Sequence, residues 1–503
     1  MSWSNMDILA ALLYVLSQPE LLFLIVLAAL VGVVLGAIPG LTAAAAITML
    51  IPFSYSLDVL PALAFLFVVA KASRFGGSIS AILFNTPGTT ASIVTQIDGH
   101  QMAKKGEADK AIKLAALSSA TGDVLGDIFL IVMIGYFSLH ALSIGPPETF
   151  SVYLLAFSIV IFSMDRNVVK VLCSVLLGIL LSSIGLDPIS GQERLTFAVL
   201  ELSSGIELIP LLLGMFVLSE IMMHVVNKTT SQRLSARSFQ KPFNASWREL
   251  RSYFPTAFFS GVWGALVGVL PGLGSAVAAY TSYNLAKSHA ADSENWGKGE
   301  PRAVVAAEAA NNAVSGSSMI PLLTLGIPGS TIGAVLLGAL AIHGLNLGPT
   351  LYLGSGELLY RMFACGLLGI LAYATMGYCV ARPITGLVSR IPMVPLYVAM
   401  FVLCFFTAYS IRELHFDLIV MCLAAVLAYG MRKTGFSPIA LIISFVLAKG
   451  GEESFRQSLL MSESGVYIFF ERPLALFCCV ASVLIVSLSI YMRRKRAVQF
   501  NRS

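Results

Sequence analysis

The sequence predicts an all-α polytopic membrane protein made of two inverted structural repeats, each with broken helices or re-entrant hairpins at Pro-Gly motifs. Three observations carry this. The 503 residues are 57% hydrophobic and only 12% charged, with a mean hydropathy of +0.84; soluble domains carry about 25% charged residues. A pair of Pro-Gly turns occurs once in each half, always inside apolar sequence. Basic residues gather in a central segment and in the C-terminal tail.

Apolar runs recur along the whole chain, clearest at Leu21 to Gly36, Val152 to Met164, Val171 to Ile184, Pro392 to Tyr409 and Pro473 to Tyr491. With their flanks these can contribute to crossing a hydrocarbon core, which takes about 20 helical residues. The N-terminus has no basic region ahead of its first apolar run, so no removable signal peptide is expected.

The first pair of turns reads GAIPGLTAAAA from Gly36 and ILFNTPGTTAS from Ile82; the second reads GVLPGLGSAVA from Gly268 and TLGIPGSTIGA from Thr324. Pro39 and Pro271 are 232 residues apart, and Pro87 and Pro328 are 241 apart. Proline lacks an amide donor and glycine weakens a helix, so each motif interrupts its helix and frees backbone polar groups. Lipid cannot satisfy those groups, which confines such breaks to protein interiors or wet cavities. Matched interruptions in two halves point to the binding site of a secondary transporter. The approaches to the second turns, Lys71 to Gly88 and Glu308 to Gly329, are polar and glycine-rich. They read as too short and broken for full spans.

Lys228, Arg233, Arg237, Lys241, Arg248 and Arg251 lie between Val226 and Ser252, and Arg493, Arg494, Lys495, Arg496 and Arg502 fill the tail. Positive loops stay cytoplasmic, which places both segments inside. No Lys or Arg precedes Lys71, which places Met1 outside. The expected organisation is a first transmembrane repeat over 1–227, a basic cytoplasmic linker over 228–252, and a second repeat over 253–503 with an extra C-terminal helix. An odd number of crossings before the linker would invert the second repeat relative to the first.

At these motifs the chain resembles the large membrane subunit of the tripartite tricarboxylate transporters, the TctA family. The matching stretches are PGL at Pro39, GGSISAILFNTPG from Gly76, DGHQMAKKG from Asp98, PGL at Pro271, EAANN from Glu308, and IPLLTLGIPGSTIGAVLLGALAIHG from Ile320. The resemblance implies a carrier of the bacterial inner membrane that imports a carboxylate on an ion gradient, Na+ or H+, without ATP. It also implies two partners: a small four-helix membrane subunit and a periplasmic solute-binding protein. Thr89 stands where many members have an acidic residue, and Arg74 where they tend to have an aromatic; both departures bear on the substrate.

The candidate substrate and ion site is drawn from the turns and their flanks: Pro39, Gly40, Pro87, Gly88, Thr89, Thr90, Ser92, Pro271, Gly272, Ser275, Pro328, Gly329, Ser330 and Thr331. Helix N-termini at such breaks offer free N–H groups and a positive dipole to a carboxylate, and unwound carbonyls suit a cation. Asn85, Asn311 and Asn312 could donate to a carboxylate or give an oxygen to sodium. Glu308 stands one turn before Asn311 and Asn312, and reads either as a functional intramembrane acid or as an interfacial one beyond Arg302. Arg74 reads either as a two-pronged carboxylate partner or as a snorkelling residue. For Lys71 snorkelling to a membrane surface stands ahead of neutralising a substrate carboxylate. For Asp123 and Asp127 a water-facing first turn of a helix stands ahead of a carboxylate pair that carries protons or sodium ions.

Other classes lack support. There is no GxxxxGK[ST] phosphate loop, and EAA at Glu308 has its next glycine at Gly316, outside a basic loop, unlike the coupling loop of ATP-driven permeases. The six histidines show no metal spacing, the seven cysteines lie in apolar runs without CxxC, and no nucleophile–base pair stands at suggestive spacing. No enzyme, cofactor or metal is therefore expected beyond the coupling ion. A channel or an intramembrane enzyme is the alternative, and two matched gates argue against a channel.

Overall fold

A computed structural model describes residues 8–140, 144–163, 167–187, 189–227, 239–244, 246–345, 347–348, 351–388 and 390–500. Met1, Lys228, Arg233, Arg237 and Arg502, on which the expected orientation partly rests, lie outside the described residues. The first half runs through α1 (Ile8–Leu16), α2 (Pro19–Ala37), α3 (Ala43–Ser54), α4 (Val59–Phe84), α5 (Ser92–Lys104), α6 (Ala108–His140), α7 (Pro146–Ser163) and α8 (Val168–Ser182). A short antiparallel ladder of β1 (Gly185–Leu186) and β2 (Glu193–Arg194) pairs Gly185 with Arg194. After α9 (Leu200–Ser203), α10 (Leu208–Leu212) continues through a π-helical stretch, Leu213–Leu218, into α11 (Ser219–Asn227).

The second half contains α12 (Trp247–Gly268), α13 (Gly274–Ser288), α14 (Pro301–Ser317), α15 (Met319–Leu325), α16 (Thr331–Ile342), α17 (Leu351–Cys379) and α18 (Ala381–Val388). It closes with α19 (Met393–Arg412), α20 (His415–Thr434), α21 (Pro438–Leu460), α22 (Ile468–Glu471) and α23 (Pro473–Phe500). Among the described residues seven helices are long and apolar enough to cross a membrane, and eight if the pair bent by 95° at Glu471–Pro473 counts as one span. The chain is an all-α polytopic membrane protein. Its outer helices present bare apolar faces, such as Phe401, Val402 and Phe406 on α19.

Close backbone packing builds the centre. Gly32 and Gly36 of α2 lie against α4, where a Cβ at Gly36 would fall on the Ser73 carbonyl oxygen. Gly264 and Gly268 of α12 lie in the same way against Ala310, Val314 and Ser317 of α14. Both glycine pairs are spaced i, i+4, and the second stands 232 residues after the first. A third pair, Gly122 and Gly126 of α6, rests on Ala309 and Ala313 from another side of α14. Small residues let helices approach until their backbones touch, as association in lipid requires. The helix–break–helix pattern thus recurs in both halves.

One expectation is corrected. The stretch Lys71 to Gly88 is not too short to span: its helical part ends the unbroken 26-residue α4, buried from Ala62 to Phe84. Its polar side chains are surrounded by protein, so their polarity is no bar to a full-length helix. Only the second copy is broken, at Ser318 between α14 and α15. Two predicted runs, in α7 and α8, are apolar but fall among the shorter helices.

Candidate functional site: a cleft at converging helix N-termini

The Pro-Gly turns end each helix in the same way. Asn85 closes α4 in the left-handed conformation (φ 55°), and Gly326, 241 residues later, closes α15 at φ 69°. Glycine adopts this conformation readily, and asparagine is among the few other residues that do. The helices that follow are capped by equivalent hydroxyls. Thr89 Oγ1 accepts from Ser92 N at 3.1 Å, and Ser330 Oγ accepts from Gly333 N at 3.1 Å. Within each half the second turn meets the first: Gly88 sits against Gly77 and the Gly36 carbonyl, and Gly272 N donates to Gly329 O at 3.1 Å.

The turns of both halves open on one cleft of about 510 Å³. It is lined by Thr42–Ala44, Gly88–Thr90, Gly272–Val277, Gly329–Ile332 and Ser437–Ile439. These are the start of α3, where Thr42 accepts from Ala45 N, the approach to α5, the start of α13, the start of α16, and the start of α21, where Ser437 accepts from Ala440 N. Five helix N-termini therefore face one space. Each carries partial positive charge and stabilises a nearby anion by about 0.3–1 kcal/mol.

Three charged side chains line the cleft: Arg74, Arg432 and Glu220. Arg432 donates to Glu220 Oε2 at 3.1 Å, so that pair is internally compensated. Arg74 is 3% exposed, donates through Nη1 to the Asn311 carbonyl at 3.3 Å, and among the described residues has no hydrogen-bond partner for Nε. Among the described residues no carboxylate lies within ion-pair distance of it. A buried guanidinium with a spare N–H and no carboxylate in direct contact is suited to receive an anionic ligand.

Of the predicted site residues, Arg74, Gly88, Thr89, Thr90, Gly272, Ser275, Gly329, Ser330 and Thr331 share this cleft. Pro87, Pro271 and Pro328 shape its turns without lining it, and Ser92 supports Thr89 through a 2.7 Å hydroxyl contact. Pro39 and Gly40 do not line it, and the Gly40 carbonyl lies 3.3 Å from His224 Nε2. Asn85 stands apart: it is exposed, and its Oδ1 accepts from Gln96 Nε2 at 2.7 Å. Glu308, Asn311 and Asn312 lie on α14 and are fully buried without lining the cleft. The interfacial reading of Glu308 is thereby excluded, as is snorkelling for Arg74.

A buried polar layer lies behind the cleft, and the expectations for Lys71, Asp123 and Asp127 are overturned there. All three are 0% exposed. Asp123 and Asp127 sit mid-helix in α6, well past its first turn. Lys71 Nζ donates to Asp123 Oδ1 at 3.1 Å, Asp127 Oδ1 at 2.8 Å and Ser315 Oγ at 3.0 Å. Tyr373 donates to Asp123 Oδ2 at 2.6 Å, and Ser315 donates to Asp123 Oδ1. Snorkelling needs a route to water, and the side chain of Lys71 is fully buried. Glu308 accepts from Ser78 at 2.6 Å, Ser119 at 2.9 Å, Asn312 Nδ2 at 3.4 Å, and Thr95.

The DGH motif has a structural part. Asp98 accepts from the amides of Gly297, Gly299 and Glu300 at 2.8–3.0 Å and from Tyr283 Oη at 2.9 Å. It pins the entry of α14 to α5, and so fixes Glu308 against Thr95.

A sequence profile described as "Tripartite tricarboxylate transporter TctA family" matches residues 22–443, spanning both pairs of turns and the whole cleft. The chain belongs to the TctA family. An Agrobacterium vitis protein described as an uncharacterized 52.8 kDa protein in the TAR-I ttuC' 3' region is 30% identical over 463 residues, covering 92% of this chain and 90% of the relative. A second A. vitis protein, uncharacterized and from the TAR-II ttuC' 3' region, is 30% identical over 215 residues, 42% of this chain and 87% of its own length. TctA proteins are a transporter family, and this member is a multi-pass membrane protein. Sequence reasoning missed Arg432, Glu220, Thr42 and Ser437 in the cleft of this TctA protein, and Tyr373, Ser78, Thr95, Ser119 and Ser315 behind it. Single hydroxyls in apolar helices give no signal until their neighbours are known.

Proposed function

We propose that this TctA-family chain is the large permease subunit of a binding-protein-dependent secondary transporter that imports a tricarboxylate-like anion on a cation gradient, Na+ or H+. The observation that carries the reading is the cleft where five helix N-termini meet Arg74, whose Nε is unpartnered among the described residues. A polycarboxylate places several negative charges in a small volume, matching several dipole ends and one planar two-pronged donor. Thr89, Thr90, Ser275, Ser330 and Thr331 supply hydroxyls around it. In this reading the chemistry is binding and release, and no residue acts as a catalyst.

The two halves act as inverted repeats whose turns meet near the bilayer midplane. Alternating access is elevator-like, a mode argued by analogy with other carriers built on paired hairpins. The protein sits in the bacterial inner membrane with Met1 periplasmic and both the 228–252 linker and the tail cytoplasmic, as the basic residues favour. A small four-helix membrane subunit and a periplasmic solute-binding protein complete the system.

The test is uptake by proteoliposomes containing all three components. An inward sodium or proton gradient is expected to drive accumulation of a tricarboxylate. Uptake that needs ATP and persists without either gradient would contradict the reading.

A further inference from the structure

Five ionisable groups, Lys71, Arg74, Asp123, Asp127 and Glu308, are 3% exposed or less in the central layer. Two are cations and three are carboxylates. Lys71 bridges Asp123 and Asp127, and Arg74 is close enough to act electrostatically on Asp123. Those four groups balance. Glu308 remains, and each of its side-chain partners is neutral: Ser78, Thr95, Ser119 and Asn312. A carboxylate buried without a counter-charge costs several kcal/mol, so the fold leaves room in its charge balance for one positive charge at Glu308.

The chemistry of the surroundings says which charge. Ser78 comes from α4, Thr95 from α5, Ser119 from α6, and Glu308 and Asn312 from α14. All are oxygen-bearing side chains, and hard cations take oxygen ligands from carboxylates, amide carbonyls and hydroxyls. A hydroxyl keeps its lone pairs while its hydrogen rotates, so each of the three can turn from donor toward Glu308 to ligand. Asn312 Oδ1 is fully buried and among the described residues has no hydrogen-bond partner, whereas Nδ2 contacts Ser119 Oγ, Glu308 O and Glu308 Oε2. Turning the amide over puts its oxygen 2.8 Å from Ser119 Oγ, among the other oxygens. One carboxylate matches one monovalent charge. A proton would match the charge with one hydroxyl turned to accept from it, but would leave Asn312 Oδ1 without a partner.

We propose that Glu308, Asn312, Ser78, Thr95 and Ser119 form a binding site for one dehydrated sodium ion, separate from the cleft. The site deepens the transport reading by placing the coupling cation, and it rests on that reading for its role. Because its ligands come from four helices, the ion holds α4, α5, α6 and α14 together. Arg74 lies one helical turn before Ser78 and bonds the Asn311 carbonyl, one residue before Asn312, which links ion site and cleft through the two helices.

The experiment is thermal unfolding of the purified full-length protein in sodium, potassium or choline chloride at fixed ionic strength, between pH 6 and 8.5. Wild type is expected to gain a saturable rise in Tm from sodium alone. Glu308→Gln is expected to lose it, and Thr95→Val and Ser119→Ala to raise the half-saturating sodium concentration at least tenfold. The two hydroxyl variants carry the test if Glu308→Gln does not fold. No sodium effect in wild type, a Tm that follows only pH, or a wild-type sodium response in these variants would overturn the site. Sodium-driven tricarboxylate uptake alongside an unchanged response in Glu308→Gln would retain the transport reading and remove this ion site. Sodium binding without any carboxylate uptake would do the reverse.

Discussion

In the first half, α4 runs unbroken past Gly76 and Gly77 to a left-handed Asn85, whereas in the second the equivalent helix breaks at Ser318 before a left-handed Gly326. Both copies press against a glycine pair, Gly32 with Gly36 or Gly264 with Gly268, and both cap the next helix with a hydroxyl at the same offset. Their charges do not correspond. The first copy contributes the cations Lys71 and Arg74; the second places Asn312 and Ser315 at those offsets and adds the carboxylate Glu308. The shared part is geometry that lets a helix end inside the protein. The unshared part is chemistry, and the proposed anion and cation sites both rest on it.

The strongest way to break this comparison is to disturb the shared geometry. Gly36→Leu and Gly268→Leu should each prevent assembly, because a Cβ at either position meets atoms that cannot all yield; overpacking typically costs about 1–3 kcal/mol and more against backbone. Their effects should be alike, measured as folded protein in fluorescence-detected size exclusion. Loss in one and tolerance in the other would show that the halves do not share a frame.

The charges should respond unequally. Lys71→Ala leaves two buried carboxylates facing each other and should cost about 3–5 kcal/mol, while Asn312→Ala at the equivalent position should cost about 1–3 kcal/mol. Denaturant or thermal unfolding in detergent reads both. Smaller still are the caps. Thr89→Ala and Ser330→Ala should each lower stability by about 0.5–2 kcal/mol and weaken transport, whereas Asn85→Ala, whose side chain only meets Gln96, should change transport less than twofold. A larger effect at Asn85 than at the caps would reverse the assignment.

Much of this was legible in the sequence because proline and glycine act locally. The spacing of Pro39, Pro87, Pro271 and Pro328 located all the turns, and hydropathy identified the membrane class. Lys71, Asp123 and Asp127 misled for a physical reason. A charge four residues from another reads the same on a wet helix end as in a buried pair, and only the α6–α14 contact through Gly122 and Gly126 decides between them. Asn85 has the motif position of a binding residue, but it closes α4 in the left-handed conformation outside the cleft and its Oδ1 accepts from Gln96 Nε2. Arg432 and Ser437 lie more than 100 residues beyond the last turn, and only the packed structure returns them to the cleft.

The central claim is that the converging helix ends and Arg74 hold the carboxylate. The direct measurement is equilibrium binding of a tricarboxylate such as citrate, against a panel of dicarboxylates, to the purified wild-type protein and to Arg74→Gln and Arg74→Lys. Loss of a buried charge-assisted donor pair should weaken binding by about 2–3 kcal/mol, roughly 30-fold to 150-fold. Arg74→Lys should recover only part, because an ammonium lacks the planar fork. Binding within twofold of wild type in Arg74→Gln, with the protein folded, would contradict the account.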